Sequence, residues 1–551
     1  MRMRLSSNLV FASLFSSGAA LAPAFAAPPL HRWQGPAPSH FGQSVDGAGD
    51  VNGDGRGDVL VGSPDASIFD PHLEMRSGAD GAVLWAAYDT ANGLPGGRNL
   101  MTRLGISVAG VGDLDGDGVA DVAAGAHADG REAYRSGSVR AYSGADGRLL
   151  WEAFGEAAYD EMGYRVAAAG DVNLDGVDDV VAGCLTPLSL PRYVAVLSGA
   201  DGSFLFLLRE TAAPDAIGQY TNFGSDVAGV GDVNSDGFPD LAVGATHDDR
   251  NGVDAGSVTI FSGRSGAPVY SVFGDGVGDL LGISVDRVGD LNGDGRAEFV
   301  AGATAVTGPR GVEDPGMARV YDGRSGLALH TIYGNEKDRF LGIDVAGVGD
   351  MNRDGYPDFA AGTWGYAITV GEERGDYVEV RSGKNFALLG RVVSDLYHDG
   401  FGASLAGAGD VNGDGFDDLI VGAFQSPLGP NDAGRAEVWA GRSQYGLVAS
   451  APRPGLAGGA NAVVLTGARP GAELVLFAGR NLGSTPLRGC PADRALSIRS
   501  AVVYARARAD ESGRASFDVE VGGNQSGTTI LLQAVERDTC RISTLESFVW
   551  R

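Results

Sequence analysis

The sequence is short of several things at once. It has three cysteines and two lysines in 551 residues, and its 42 basic residues face 70 acidic ones, a formal charge of −28. A chain so acidic repels phosphate backbones and anionic lipid surfaces, which excludes nucleic acid as a partner. No stretch reaches the ~20 consecutive apolar residues that a membrane-spanning helix needs, so membrane insertion is not expected. Cys490 and Cys540 share the last hundred residues, so a bridge between them is expected, leaving Cys184 unpaired. Proline contributes 23 residues and 44% of the chain is hydrophobic, which excludes disorder; no strict glycine period exists, which excludes collagen.

Glycine is abundant, at 88 residues. Turns must therefore be frequent, and the length exceeds the ~250–300 residues that one simple core supports. A large repeat architecture with an appendage is expected. Residues 1–26 carry Arg2 and Arg4, then an apolar stretch over 9–21 and an Ala24-Phe25-Ala26 end. That pattern predicts a secretory leader, a mature chain from Ala27, and a location outside the cytoplasm, where calcium is plentiful.

Seven nine-residue phrases recur. They open at Asp50, Asp113, Asp171, Asp232, Asp290, Asp350 and Asp410, spaced by 63, 58, 61, 58, 60 and 60 residues. Eight residues before each opening aspartate stands a glycine preceded by Phe, Leu or Met, as in Phe41-Gly42, Met162-Gly163 and Phe401-Gly402. Twelve residues after it stands a second glycine: Gly62, Gly125, Gly183, Gly244, Gly302, Gly362 or Gly422. Apolar triplets such as Val59-Leu60-Val61 precede the second glycine, and short apolar runs bounded by glycine read as buried strands. Two further strands follow in each unit, joined by turns such as 143–147, SGADG. Four antiparallel strands in ~60 residues cannot cover their own faces, whereas seven such sheets packed radially can. The chain is expected to be all-β: a seven-bladed β-propeller over 27–448, a Pro/Gly-rich linker over 449–459 and a C-terminal β-sandwich domain over 460–551. Residues 30–35 (LHRWQG) resemble the fourth strand of other units and compete with 445–448 to complete the last blade.

The phrase has the chemistry of a hard-cation loop. Ca²⁺ takes six to eight oxygens at ~2.3–2.6 Å from carboxylates, amides and a backbone carbonyl in a tight turn. Positions 1, 3, 5 and 9 offer side-chain oxygen, position 6 is always glycine, and position 7 would give its carbonyl, leaving its side chain free to vary. The first two sets are Asp50, Asn52, Asp54, Arg56 and Asp58, then Asp113, Asp115, Asp117, Val119 and Asp121. The next two are Asp171, Asn173, Asp175, Val177 and Asp179, then Asp232, Asn234, Asp236, Phe238 and Asp240. Three more follow: Asp290, Asn292, Asp294, Arg296 and Glu298; Asp350, Asn352, Asp354, Tyr356 and Asp358; Asp410, Asn412, Asp414, Phe416 and Asp418. Each gathers at least three negative charges, which repel one another without a cation. Up to seven Ca²⁺ are expected.

These blocks resemble the FG-GAP repeat of integrin alpha-subunit propellers and of many secreted bacterial proteins. The resemblance runs from about Leu30 to Val448, with Phe41-Gly42 and Gly62-Ser63-Pro64, and Phe401-Gly402 and Gly422-Ala423, as its ends. Leu104, Met162, Leu281 and Leu341 depart from the phenylalanine, and Cys184 and Thr363 from the alanine. The resemblance implies structural calcium hairpins on one face, partners on the other, and a protein of the secreted bacterial type, placed outside the cell, at its surface or in the periplasm. The loops expected on the partner face include 63–72, 127–136, 246–255, 303–316, 363–373 and 424–433, with Phe69, Tyr134, Trp364 and Tyr366 as candidate contacts for a protein or glycan ligand.

The function expected is a calcium-stabilised adhesion or ligand-binding scaffold. A polysaccharide lyase or hydrolase with its active site on the propeller axis is the alternative, with His127 and His247 as its test residues, and a surface-layer structural protein is a third class. No G-x-S-x-G elbow or helical H-E-x-x-H pattern supports an enzyme.

Overall fold

The computed structural model describes residues 28–449 except 37–38, 65–71, 90–101, 185–191, 211–220, 307, 309–313, 335–338, 366–375, 397–398, 426–432 and 442–447; from 460 onward it describes the strands. The leader over 1–26, Phe69, Tyr366, Cys490 and Cys540 lie outside the described residues. Every described element is a strand, and no helix is long and apolar enough to cross a membrane.

Seven four-stranded antiparallel sheets form. Blade 1 is Ser44–Gly49, Asp58–Ser63, His72–Arg76 and Val83–Tyr88. Blades 2 to 6 occupy 107–154, 162–209, 223–273, 285–333 and 345–393. Blade 7 takes Phe401–Gly409, Asp418–Ala423 and Arg435–Trp439 from the end of the repeat array and its fourth strand, His31–Gln34, from the beginning. His31 pairs with Val438 and Gln34 with Arg435, so of the two competing segments the N-terminal one closes the wheel. Val448–Ala449 pairs instead with Thr466 and Leu465, in the C-terminal sheets.

Second strands are buried along their whole length, as in Asp58–Ser63 and Asp418–Ala423, because a sheet sandwiched between neighbours has no solvent face. One apolar cluster fills each of the seven junctions. The last of them sets Phe41, Val45, Val59 and Val61 of blade 1 against Ala408, Ile420 and Val438 of blade 7. Cys184 is buried within the junction of blades 2 and 3, among aliphatic side chains and Tyr193.

The two framing glycines of each repeat have one physical reason. A Cβ on Gly125 would lie 1.8 Å from the carbonyl oxygen of Gly163 in the next blade, and one on Gly422 would lie 2.1 Å from that of Gly42, so the same contact closes the circle. The residue just before the framing Phe, Leu or Met is left-handed in all seven repeats: φ is 49° at His40, 61° at Arg103, 52° at Glu161, 61° at Asn222, 59° at Leu280, 48° at Phe340 and 70° at Gly400. Residue types this varied give no sequence signal for it.

At the axis the first strands touch in a closed ring. The side chain six residues before each opening aspartate accepts a backbone N–H from the next blade. Ser44 accepts from Val108 at 3.0 Å, Ser107 from Val166 at 3.0 Å, Asp226 from Val285 at 2.8 Å, Ser284 from Val345 at 3.0 Å, Asp344 from Leu405 at 2.8 Å, and Ser404 from Val45 at 3.0 Å. Arg165 holds the seventh place and cannot accept; its Nε lies 3.3 Å from Asp226 Oδ1 instead.

The C-terminal region is also all-β. Ala460–Thr466 pairs with Ala515–Glu520, burying Val463, Ala515 and Phe517. Glu473–Gly479 lies between Val502–Arg508 and Thr529–Glu536, burying Leu474, Leu476, Ala478, Leu532 and Ala534. Leu474, Val475 and Leu476 are buried in succession, as are Ala534 and Val535, so this central pair of strands is covered on both faces.

Candidate metal centres

Each acidic phrase is the hairpin loop between the first and second strands of a blade, so all seven lie at the same end of the wheel. The glycine at position 6 makes the turn possible, with φ between 81° at Gly55 and 94° at Gly176 across the set. Its N–H donates to the position-1 carboxylate in every loop: Gly55 to Asp50 at 2.7 Å, Gly118 to Asp113 at 2.8 Å, Gly176 to Asp171 at 2.9 Å, Gly237 to Asp232 at 2.9 Å, Gly295 to Asp290 at 2.9 Å, Gly355 to Asp350 at 2.8 Å and Gly415 to Asp410 at 2.7 Å. Position 5 likewise accepts the N–H of position 7, as Asp54 does from Arg56 at 3.0 Å and Asp414 from Phe416 at 3.1 Å. In five loops position 3 in turn accepts the N–H of position 5, as Asn52 does from Asp54 at 2.9 Å, so these side chains fold back over the loop.

In blade 2, where position 3 is an aspartate, oxygens of Asp113, Asp115 and Asp117 lie within 4.8 Å of one another, and the three could hold a metal ion. Three ionised carboxylates so close repel, and a hard divalent cation is the partner their oxygens fit. In the other blades position 3 is asparagine, and its amide is put to a second use. Asn234 Nδ2 donates to Asp240 at 2.9 Å, Asn292 to Glu298 at 2.9 Å, Asn352 to Asp358 at 3.0 Å and Asn412 to Asp418 at 2.9 Å, whereas Asn173 of blade 3 donates to Asp175 at 2.8 Å; the amide oxygens of Asn234 and Asn292 accept the position-5 N–H.

Position 9 stands apart from the other three. Asp58, Asp121, Asp179, Asp240, Glu298, Asp358 and Asp418 are fully buried at the root of the loop. One oxygen accepts the N–H of position 2, as Asp121 does from Leu114 at 2.7 Å, and the other accepts from the glycine of the turn between strands three and four, as Asp121 does from Gly144 at 2.9 Å. Burial pushes all seven carboxyls upward, to about 6 at Asp179, Asp240 and Glu298 and to about 8 at Asp358 and Asp418. The loop's own carboxylates add to the rise, Asp350 and Asp354 for Asp358, and Asp414 and Asp410 for Asp418. A carboxyl that costly to ionise beside other carboxylates is one a cation would relieve.

Several contributors carried no signal in the phrase itself. The serine of the turn between strands three and four donates to position 5, Ser262 to Asp236 at 3.3 Å and Ser382 to Asp354 at 3.2 Å. Asp322 replaces that serine in blade 5 and accepts from Asn292 at 3.0 Å. Arg148 donates to Asp115 at 2.6 Å. The side chain of position 7, expected to be free, packs in three loops: Phe416 is buried under Arg353 of the neighbouring loop at 5.6 Å, Phe238 lies under Arg264 at 5.3 Å, and Tyr356 under Lys384 at 4.9 Å.

Among the described residues, at four of the seven junctions the loop is wired across to the preceding blade. The turn glycine whose N–H is held by position 9 offers its carbonyl to an aromatic side chain of the preceding blade. Trp85 Nε1 donates to Gly144 at 2.6 Å, Trp151 Nε1 to Gly199 at 2.6 Å, and His31 Nε2 meets Gly78 at 2.7 Å across the closing junction. Tyr270 and Gly323 make the same contact between blades 4 and 5.

On the opposite face, Tyr134 is exposed and stacks edge-on with Tyr159 at 5.2 Å, while Trp364 packs against Phe424 at 5.9 Å and Phe424 against His40 at 6.2 Å. His127 is buried against Tyr164, and His247 Nδ1 lies 2.9 Å from Thr246 Oγ1. Neither histidine lines the cavity on the axis, where the enzyme alternative would need them.

Four segments, 41–84, 104–142, 223–261 and 401–439, match the FG-GAP repeat, and these are blades 1, 2, 4 and 7. The chain is 31% identical over 216 residues to integrin alpha-5 of Xenopus laevis, covering 37% of this chain and 20% of that protein. It is 30% identical over 208 residues to integrin alpha-V of Gallus gallus, covering 35% and 19%. The chain thus spans about a fifth of the length of these curated relatives. Among solved structures, one titled "Structure of Dos1 propeller" aligns with a TM-score of 0.36 and 10% identity over 90% of this chain and 97% of that one.

Proposed function

We propose that this FG-GAP-repeat chain, with its integrin-alpha-like propeller, is a calcium-stabilised scaffold that works outside the cytoplasm and binds a protein or glycan ligand on the face opposite its acidic loops. One observation carries the calcium part: seven loops at one register, each closed by its position-1 carboxylate and offering side-chain oxygens at positions 1, 3 and 5, with a buried acid at position 9 beneath. The ligands proposed are the side chains at positions 1, 3, 5 and 9 and the carbonyl at position 7. A bound cation would supply positive charge where the chain has gathered negative charge. The chain's own residues do the rest: position 6 makes the turn, position 1 holds it closed, and position 9 ties the loop to the turn between strands three and four of its own blade. On the opposite face the connections between second and third strands, which differ in length and composition from blade to blade, suit a specific partner.

Titration of the chelator-stripped protein with Ca²⁺ by calorimetry tests the first half, with up to seven bound ions expected; no uptake would sink it. A glycan array and a protein pull-down, each with and without Ca²⁺, test the second. Capture that depends on the aromatic residues Tyr134 or Trp364 supports the opposite face as the binding surface.

A further inference from the structure

The first strands of the seven blades enclose a cavity of about 500 Å³ on the axis, reaching the loop face at Gly170, Asp178 and Arg287. Five carboxylates line it, Asp178 at the mouth and four at the first strands. Asp46 and Asp286 stand four residues before the opening aspartate of their repeats, and Asp226 and Asp344 six before. The other blades have serine, alanine or, once, Arg165 at these places.

All four are tied to the backbone across blade junctions. Asp46 accepts from Gly110 of blade 2 at 3.0 Å and from Gly47 at 2.8 Å. Asp286 accepts from Gly347 of blade 6 at 2.9 Å and from Arg287 at 2.7 Å. Asp344 accepts from Leu405 of blade 7 at 2.8 Å and from Ser284 Oγ at 2.9 Å. Asp226 is paired with Arg165. The charged groups that face the cluster are therefore few. Asp286 faces Asp46 and Asp226, Asp344 faces Asp226 and Arg165, and Arg287 and Asp178 stand at the mouth. Among the described residues, these four carboxylates share Arg165 as the one guanidinium paired with them.

Backbone donors favour the ionised form, yet burial outweighs them. It pushes the Asp286 and Asp344 carboxyls up to about 7 and Asp46 to about 6, and it raises Asp226 against the pull of Arg165. We propose that this axial cluster is a proton-binding site through which pH sets the tightness of the wheel. Protons held on Asp46, Asp286 and Asp344 keep the inner ring closed in mildly acidic medium, and their loss in alkaline medium leaves like charges facing one another across the cavity. The sign follows from the folded carboxyls lying above the ~4 of an unfolded chain. Folding binds protons here, so the stabilisation is complete below about pH 4 and is lost as pH rises through the folded values of about 6 to about 7.

Asparagine in place of Asp286 or Asp344 keeps an acceptor for Gly347 or Leu405 and removes the charge. The full chain, Asp286→Asn, Asp344→Asn and the double variant are melted from about pH 5 to about pH 8 in excess Ca²⁺ and again in chelator, where the comparison between variants holds whether or not the loops take calcium. The wild-type melting temperature is expected to fall more steeply with pH than that of the double variant, which melts higher at the alkaline end. Parallel curves would overturn the proposal. Calorimetric unfolding of the wild type at neutral pH, in two buffers of different ionisation heat, is expected to show protons released; no release overturns it even where a variant fails to fold.

Discussion

At the scale of single residues, what the chain repeats is a set of roles, and the sequence displays some roles better than others. The glycine at position 6 and the oxygens at 1, 3 and 5 are plain in the spacing, because a turn with φ of 81° to 94° that is closed by side chains accepting its own N–H groups tolerates few residue types. Position 7 was half legible: its carbonyl role implied a free side chain, but Phe416, Phe238 and Tyr356 lie beneath cations of neighbouring segments. Least legible was the left-handed residue before the framing Phe, Leu or Met, since His, Arg, Glu, Asn, Leu, Phe and Gly all occupy it. A left-handed non-glycine residue costs about 1–2 kcal/mol. Leu280, with φ of 59°, should therefore gain about 1 kcal/mol on Leu280→Gly, read from the denaturation midpoint, after allowance for the side-chain contact it gives up. Asp117→Ala removes the position-5 oxygen of blade 2 altogether and should lower the calcium stoichiometry by one site while leaving the fold intact, as circular dichroism would verify.

At the scale of strands and blades, apolar triplets ahead of each second glycine announced buried central strands, and the fixed distance between the two framing glycines announced a fixed unit. The reason for those glycines lies between units, where sequence patterns are silent: Gly125 must meet the Gly163 carbonyl without a Cβ. Gly125→Ala places an atom 1.8 Å from that oxygen. It should destabilise the protein by about 3 kcal/mol, the upper end of what overpacking costs, seen as a lowered thermal midpoint. The latch from Trp151 to Gly199 was equally hidden, because tryptophan, tyrosine and histidine share the task in different blades. Trp151→Phe keeps most of the apolar contact and loses one hydrogen bond, so a loss of about 1 kcal/mol is expected in the same assay.

At the scale of the whole molecule, seven repeats and closure into a wheel were readable from the repeat count, because a stack of seven two-faced sheets otherwise leaves two faces bare. The strand that closes it was not decided by composition, since 30–35 and 445–448 both read as outer strands. Hydrogen-bond register decides for His31–Gln34, reinforced by Arg32 with Glu437 at 2.8 Å and Trp33 Nε1 with Gly81 at 3.0 Å. Deleting 28–35 should leave Arg435–Trp439 as a bare edge, and size-exclusion chromatography is expected to show self-association. Stripping calcium should lower the melting temperature of the intact chain, because each independent site saturated at about 100 times its dissociation constant contributes about 2.7 kcal/mol. Differential scanning calorimetry in excess chelator checks this, and an unchanged trace would contradict it.

The pairing of His31 with Val438 has a kinetic corollary. A ring whose final seam joins residues from opposite ends of a seven-repeat array forms its most non-local contact late, after a long loop-closure search. Until the seam forms, the nascent assembly is a split washer with one sticky lip, open to capture by the matching tail of another molecule. Refolding should accordingly slow at the last step and yield exchanged dimers as concentration rises.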